Sequence, residues 1–122
     1  MQKILIVEDD AELLQSLSNM LSQDKFEVIE AKNGAEGLEI ALGSKPDLIL
    51  LDILMPVMDG LTMLKKLKMN DAVKNIPVII LTNLSDTEKI AEAMESGACS
   101  YLIKIDLKNN DLVENVRSVL SR

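Results

Sequence analysis

Five apolar runs punctuate the chain, and four of them end on a polar or charged residue. Residues 4–7 lead into Glu8-Asp9-Asp10, 48–51 into Asp52, 78–81 into Thr82, and 101–103 into Lys104. The fifth, 26–31, alternates apolar and polar positions as a strand nearer a sheet edge does. Unbroken apolar strands fit a sheet covered on both faces, and 48–51 fits best. Between the runs the period changes to that of a helix. In 11–23, Leu13, Leu17, Met20 and Leu21 recur at helical spacing. A core-facing stripe of Leu13, Leu17 and Met20 leaves Leu14 and Ser18 toward solvent, and Leu14 is then a partner contact.

Turn and cap residues divide the remaining elements. Asp9 or Asp10 suits the cap of the first helix. Asn33-Gly34 turns the chain into a helix over 35–42, with Gly43 as its stop. Pro46 and Asp47 launch the central strand, and 53–60 is a loop holding Pro56 and Gly60. A helix over 61–69 and a strand over 77–82 follow. Ser85 and Glu88 have capping-box spacing at the fourth helix, which Gly97 ends. A strand over 100–104 and a helix over 110–120 complete the chain.

The alternation predicts an α/β fold of five βα units around a parallel sheet. Right-handed crossovers with helices on both faces make it doubly wound. Parallel strands present their carboxyl ends along one edge, where residues distant in sequence share a pocket. Glu8, Asp9, Asp52, Thr82 and Lys104 meet there. Three carboxylates, a hydroxyl and an ammonium suit a divalent metal and a phosphoryl group.

A length of 122 residues gives one domain, residues 1–122, with a core large enough to need no disulfide. The net charge of −7, from 20 acidic and 13 basic residues, argues against nucleic acid. No signal segment or membrane-length apolar stretch is present in the sequence, which predicts a cytoplasmic protein without a membrane partner. With no histidine and one cysteine, Cys99, zinc chemistry and histidine-dependent triads fall away. Cys99 reads as a small buried hydrophobe.

The acidic pair Glu8-Asp9, the segment Leu51-Asp52-Ile53-Leu54-Met55-Pro56-Val57-Met58-Asp59-Gly60, and Thr82, Tyr101 and Lys104 together resemble the receiver domain of two-component response regulators (CheY-like). The resemblance spans residues 3–120. It implies a flavodoxin-like sheet of order 2-1-3-4-5. It further implies that Asp52 accepts a phosphoryl group from the phosphohistidine of a sensor histidine kinase or histidine phosphotransfer protein. By the same resemblance Mg2+ is the cofactor. Asp9 and Asp52 ligate it directly, Glu8 acts mainly through water, and the Leu54 carbonyl adds an oxygen. Thr82 and Lys104 meet the phosphoryl oxygens, and Thr82 and Tyr101 form the switch toward an output surface on the fourth helix, fifth strand and fifth helix. The molecule is then a stand-alone phosphoacceptor without an output domain, a monomer or a phosphorylation-dependent dimer, passing its state to a downstream protein.

The chemistry agrees with these assignments. A carboxylate can attack phosphorus, yet Asp52 beside two acids needs a cation to stay ionised. Magnesium favours oxygen ligands, and phosphoryl transfer needs positioning and charge neutralisation above all. Taken singly, each residue has an ordinary structural role: a cap for Asp9, a solvated loop acid for Asp52, a strand residue for Thr82 and Tyr101, a surface cation for Lys104. Their joint placement favours the site.

The chain departs from the family pattern at two places. Ile105 follows Lys104 where the family has proline, so the Lys104–Ile105 bond is expected trans. Asn83 follows Thr82 where the family favours a small residue. Leu54 and Leu84 stand where side chains influence attack by water on the acyl phosphate. Other readings are a pseudo-receiver acting as a phosphorylation-independent interaction module, an aspartyl-nucleophile phosphatase and a flavin protein. The phosphatase reading lacks a second aspartate at Leu54, and the flavin reading has only Phe26 and Tyr101 to stack on the ring.

Overall fold

The computed structural model describes residues 1–83, 86–107 and 109–122. The strands are β1 (Lys3–Val7), β2 (Glu27–Ala31), β3 (Leu48–Asp52), β4 (Val78–Thr82) and β5 (Ser100–Ile103). The helices are α1 (Ala11–Gln23), α2 (Gly34–Ser44), α3 (Gly60–Lys68), α4 (Thr87–Glu95) and α5 (Asn109–Leu120). All strand pairings are parallel, in the order β2-β1-β3-β4-β5. This is the doubly wound order that the resemblance implied.

Strand periodicity splits the core in two, because successive side chains leave opposite faces. Leu5, Val7, Ile49, Leu51 and Ile80 pack under α2, α3 and α4, against Ala41, Met63, Leu64 and Ala93. Ile4, Ile6, Leu48, Leu50, Ile79 and Leu81 pack on the other face under α1 and α5, against Leu17, Leu21, Leu112 and Val116. Every residue of β3 and β4 is buried. The sheet therefore holds its strand ends in fixed register, with Val7 opposite Leu51, Asp52 opposite Leu81, and Thr82 opposite Ile103.

Local details depart from the sequence expectation. The buried residues of α1 are Leu14, Leu17, Ser18 and Leu21, whereas Leu13 and Met20 are only half-buried. Leu14 is therefore core, and its expected role as an exposed partner contact is corrected. Apolar residues cover a wide arc of α1, and packing against α5 and the sheet selects its centre. Ser18 tolerates burial because its hydroxyl donates to Glu30 Oε2 on β2 at 2.5 Å. Helix α2 runs through Gly43 and stops at Lys45, whose left-handed φ of 46° precedes Pro46. Strand β5 ends one residue early, and Lys104 opens a single 3-10 turn, Lys104–Asp106. Among the described residues no peptide bond is cis, so Lys104–Ile105 is trans as expected. The capping box placed on Ser85 lies outside the described residues, as does Leu84. No described helix is long and apolar enough to cross a membrane.

Candidate functional site

Asp52 closes β3 at the carboxyl edge of the sheet and is 2% exposed. A fully apolar strand terminating in a buried acid is costly unless the acid finds partners. The Leu54 N–H donates to Asp52 Oδ1 at 3.3 Å, one such partner. The chain then loops back and Gly60, the first residue of α3, packs on the Asp52 backbone. A Cβ at Gly60 would sit 2.0 Å from the Asp52 carbonyl oxygen. Contact that close with backbone cannot be relieved by a side-chain turn. Gly60→Ala is expected to lower stability by about 3 kcal/mol in urea unfolding, and an alanine variant as stable as wild type would show that Gly60 does not set the loop.

Glu8 follows β1, with its N–H bonded to the Ala31 carbonyl at 3.0 Å, and its side chain is fully buried. Its Oε2 accepts from the Asp10 N–H at 3.0 Å. Asp10 in turn is the N-cap of α1, its Oδ1 accepting from the N–H groups of Glu12 and Leu13 at 3.0 and 3.3 Å. Capping thus engages Asp10 and leaves Asp9 exposed beside the pocket. Carboxylate oxygens of Glu8, Asp9 and Asp52 lie within 4.8 Å of one another.

Lys104 reaches into this cluster from the end of β5. Its Nζ stands 3.0 Å from Glu8 Oε1 and 3.0 Å from Asp52 Oδ2. Each is a close ion pair, and a carboxylate oxygen carries more than one lone pair, so both buried oxygens retain acceptor capacity. One ammonium therefore serves two buried carboxylates. Burial above all, then the Glu8 charge, pushes the Asp52 carboxyl up to about 7 against the pull of Lys104. Burial would lower the Lys104 pKa, but Asp52 and Glu8 outweigh it and hold the ammonium above its usual range. The sequence places Glu8 and Lys104 at one edge of the sheet; their direct contact depends on the strand order, which sets β1 and β4 on either side of β3 and β5 beyond β4.

Thr82 ends β4 and is buried, its hydroxyl donating to the Asn83 carbonyl at 3.3 Å. Asn83 itself is exposed. Tyr101 is 46% exposed, so its ring is not in the core. The fold thus gathers Glu8, Asp9, Asp52 and Lys104 closely, sets Thr82 at the same edge, and leaves the Leu54 side chain half-exposed at the rim. Asp59 went unassigned in the sequence, although its position ahead of Gly60 marks it as the α3 cap. Its Oδ1 accepts from the Thr62 N–H at 2.8 Å.

The donors fit a hard divalent cation. All are oxygens, two belong to buried acids with spare acceptor capacity, and the local charge is negative even with Lys104 in place.

Buried acids, a hydroxyl and an ammonium along one edge of a doubly wound sheet have the chemistry to handle a phosphoryl group. The chain belongs to the response regulator receiver domain family, whose model matches residues 4–117. The transcriptional regulatory protein PrrA of Mycobacterium tuberculosis is 38% identical over 120 residues, covering 98% of this chain and 50% of PrrA. The DNA-binding response regulator MtrA of the same species is 35% identical over 121 residues, covering 99% of this chain and 51% of MtrA. The chain spans about half the length of these curated relatives. Among solved structures, the chemotaxis protein CheY4 of Vibrio cholerae superposes with a TM-score of 0.90 at 32% identity, covering 98% of each chain. Receiver domains of this family are phosphoacceptor units of two-component systems that bind magnesium at an acidic pocket.

Proposed function

We propose that this chain takes a phosphoryl group onto Asp52 from a phosphohistidine of a sensor histidine kinase or histidine phosphotransfer protein, and that the modified state changes which protein it binds. The observation that carries the proposal is the buried Asp52 carboxylate, within an ion-pair contact of Lys104 and within 4.8 Å of the Glu8 and Asp9 oxygens.

An Asp52 oxygen attacks phosphorus, the new O–P bond forms as the P–N bond breaks, and the electron pair leaves on the imidazole nitrogen. Asp9 and Asp52, with the Leu54 carbonyl, would hold magnesium, and Glu8 would act on it mainly through water. Bound there, magnesium supplies charge neutralisation for the transferring phosphoryl oxygens. Lys104 moves its ammonium from carboxylate to phosphoryl oxygen. The Thr82 hydroxyl leaves the Asn83 carbonyl to donate to another phosphoryl oxygen. Tyr101, exposed before transfer, then turns inward as Thr82 moves, altering the surface formed by α4, β5 and α5. Discrimination between the two states rests on contacts that exist only with the phosphoryl group present.

Intact mass after incubation with acetyl phosphate, with and without magnesium, tests the assignment. A single phosphate adduct is expected in wild type with magnesium and none in Asp52→Asn. An adduct that persists in the variant moves the acceptor elsewhere, and a folded wild type with no adduct supports a phosphorylation-independent interaction module.

A further inference from the structure

The loop leaving Asp52 contains a residue in a conformation its side chain resists. Val57 has a φ of 71°, in the left-handed region where a β-branched residue is an outlier. The backbone next to it is held in place: the Gly34 N–H donates to the Met58 carbonyl at 3.0 Å, and a Cβ on Gly34 would lie 2.4 Å from that oxygen, so the turn at Val57 has little room to relax. Glycine or asparagine would meet this demand with less strain. Packing does not favour valine either, because Val57 is 84% exposed. Both the backbone and the exposed apolar surface thus work against the isolated domain, a combination that points to function outside it.

Its place gives that function. Leu54, on the same loop, is 47% exposed, and Ile105, next to Lys104, is 77% exposed. Val57 and Leu54 lie on the loop that leaves Asp52 toward α3, and Ile105 follows Lys104, whose Nζ is 3.0 Å from Asp52 Oδ2. Asp52 is 2% exposed, so a protein-borne phosphohistidine reaches it only when the donor's surface comes down over those residues. The exposed charges at this edge of the sheet and on its loops include Asp9, Asp10 and Asp59 against Lys32, an excess of acid, so the matching surface is apolar with cationic groups at its border.

We infer that Val57 is a specificity-determining contact for the phosphoryl-donor protein, its side chain held outward against its backbone preference to meet an apolar patch beside the phosphohistidine. The inference rests on the phosphoacceptor role of Asp52.

Two donors separate the possibilities: phosphoramidate, which has an N–P bond but no protein surface, and the purified autophosphorylated histidine kinase that labels wild type fastest within a panel. In Val57→Gly and Val57→Asn the melting temperature is expected to rise by about 3 °C, since both residues accept the left-handed turn. Labelling by phosphoramidate is expected to match wild type, while kcat/KM for transfer from the kinase falls about tenfold. Val57→Ile keeps the apolar contact and retains kinase transfer. Unchanged kinase transfer in the glycine and asparagine variants overturns the inference. An equal loss with phosphoramidate also overturns it, by assigning Val57 to loop geometry, as does a wild type labelled by phosphoramidate but by no kinase of the panel. Failure of phosphoramidate to label wild type removes the phosphoacceptor role itself, and the inference with it.

Discussion

Replacing Asp52 with asparagine is expected to stabilise the metal-free protein by about 2–4 kcal/mol above pH 7 while abolishing phosphoryl acceptance. Burial and the Glu8 charge lift the Asp52 carboxyl from its usual 3.8 to about 7. Between those two values the folded chain holds a proton that the unfolded chain has released. Folding takes up that proton, so the contribution is fully present below pH 3.8 and is lost as pH rises toward about 7. Asparagine is neutral throughout and does not lose it. Wild type and variant should therefore converge near pH 4 and diverge most above pH 7, read as the difference between urea unfolding curves in chelator. Magnesium at about a hundred times its dissociation constant adds about 2.7 kcal/mol to wild type. The variant, with one carboxylate fewer in the acidic cluster, is expected to gain less. A gap between the two proteins that does not widen with pH would show that Asp52 is not held at a cost in the fold.

Lys104→Met should act in the opposite direction, with a loss of about 3–5 kcal/mol at about pH 8 without metal. The Lys104 side chain is 21% exposed, and it is the cation in contact with two carboxylates that are almost fully buried. Methionine occupies similar space but leaves Glu8 Oε1 and Asp52 Oδ2 without any positive partner. The loss should shrink as pH falls and Asp52 takes up a proton. It should also shrink with magnesium, which replaces the missing charge and stabilises this variant more than wild type. In Lys104→Met with Asp52→Asn the effects should not add, because the substitutions act on one charge cluster. Equal stability of wild type and Lys104→Met in chelator would mean that the ammonium is solvated and contributes nothing to the site.

The two outcomes together describe a pocket assembled against its own electrostatics. Buried acid beside buried acid is tolerated in the resting protein through Lys104 and through partial protonation of Asp52. The same imbalance favours a divalent cation, as the proposed acceptor role of Asp52 requires. The covered sheet fixes the distances and the loops carry the chemistry.

Much of this was written in the chain. The strands had to be buried because 48–51 and 78–81 contain no polar position, and their alternation with helical spacing left little choice but a parallel sheet. Residues that end those strands then had to meet at one edge. Periodicity was a weaker guide to α1, where Leu13, Leu14, Leu17, Met20 and Leu21 permit more than one core-facing stripe. At Gly43 the expected stop failed because glycine permits a left-handed turn but does not impose one; the helix continued to Ser44 and turned at Lys45.

The sequence by itself determined the order of elements, the double winding and the identity of Glu8, Asp9, Asp52, Thr82 and Lys104 as the residues at the sheet's edge, since apolar runs and turn residues act through short-range backbone preference and burial. Only the tertiary structure decided that Asp10 caps α1 while Asp9 stays at the pocket, that Lys104 bridges Glu8 and Asp52, and that Val57 adopts a left-handed turn. Such details depend on side-chain direction and on distances between strands remote in sequence, which are set when the sheet closes and both faces are packed.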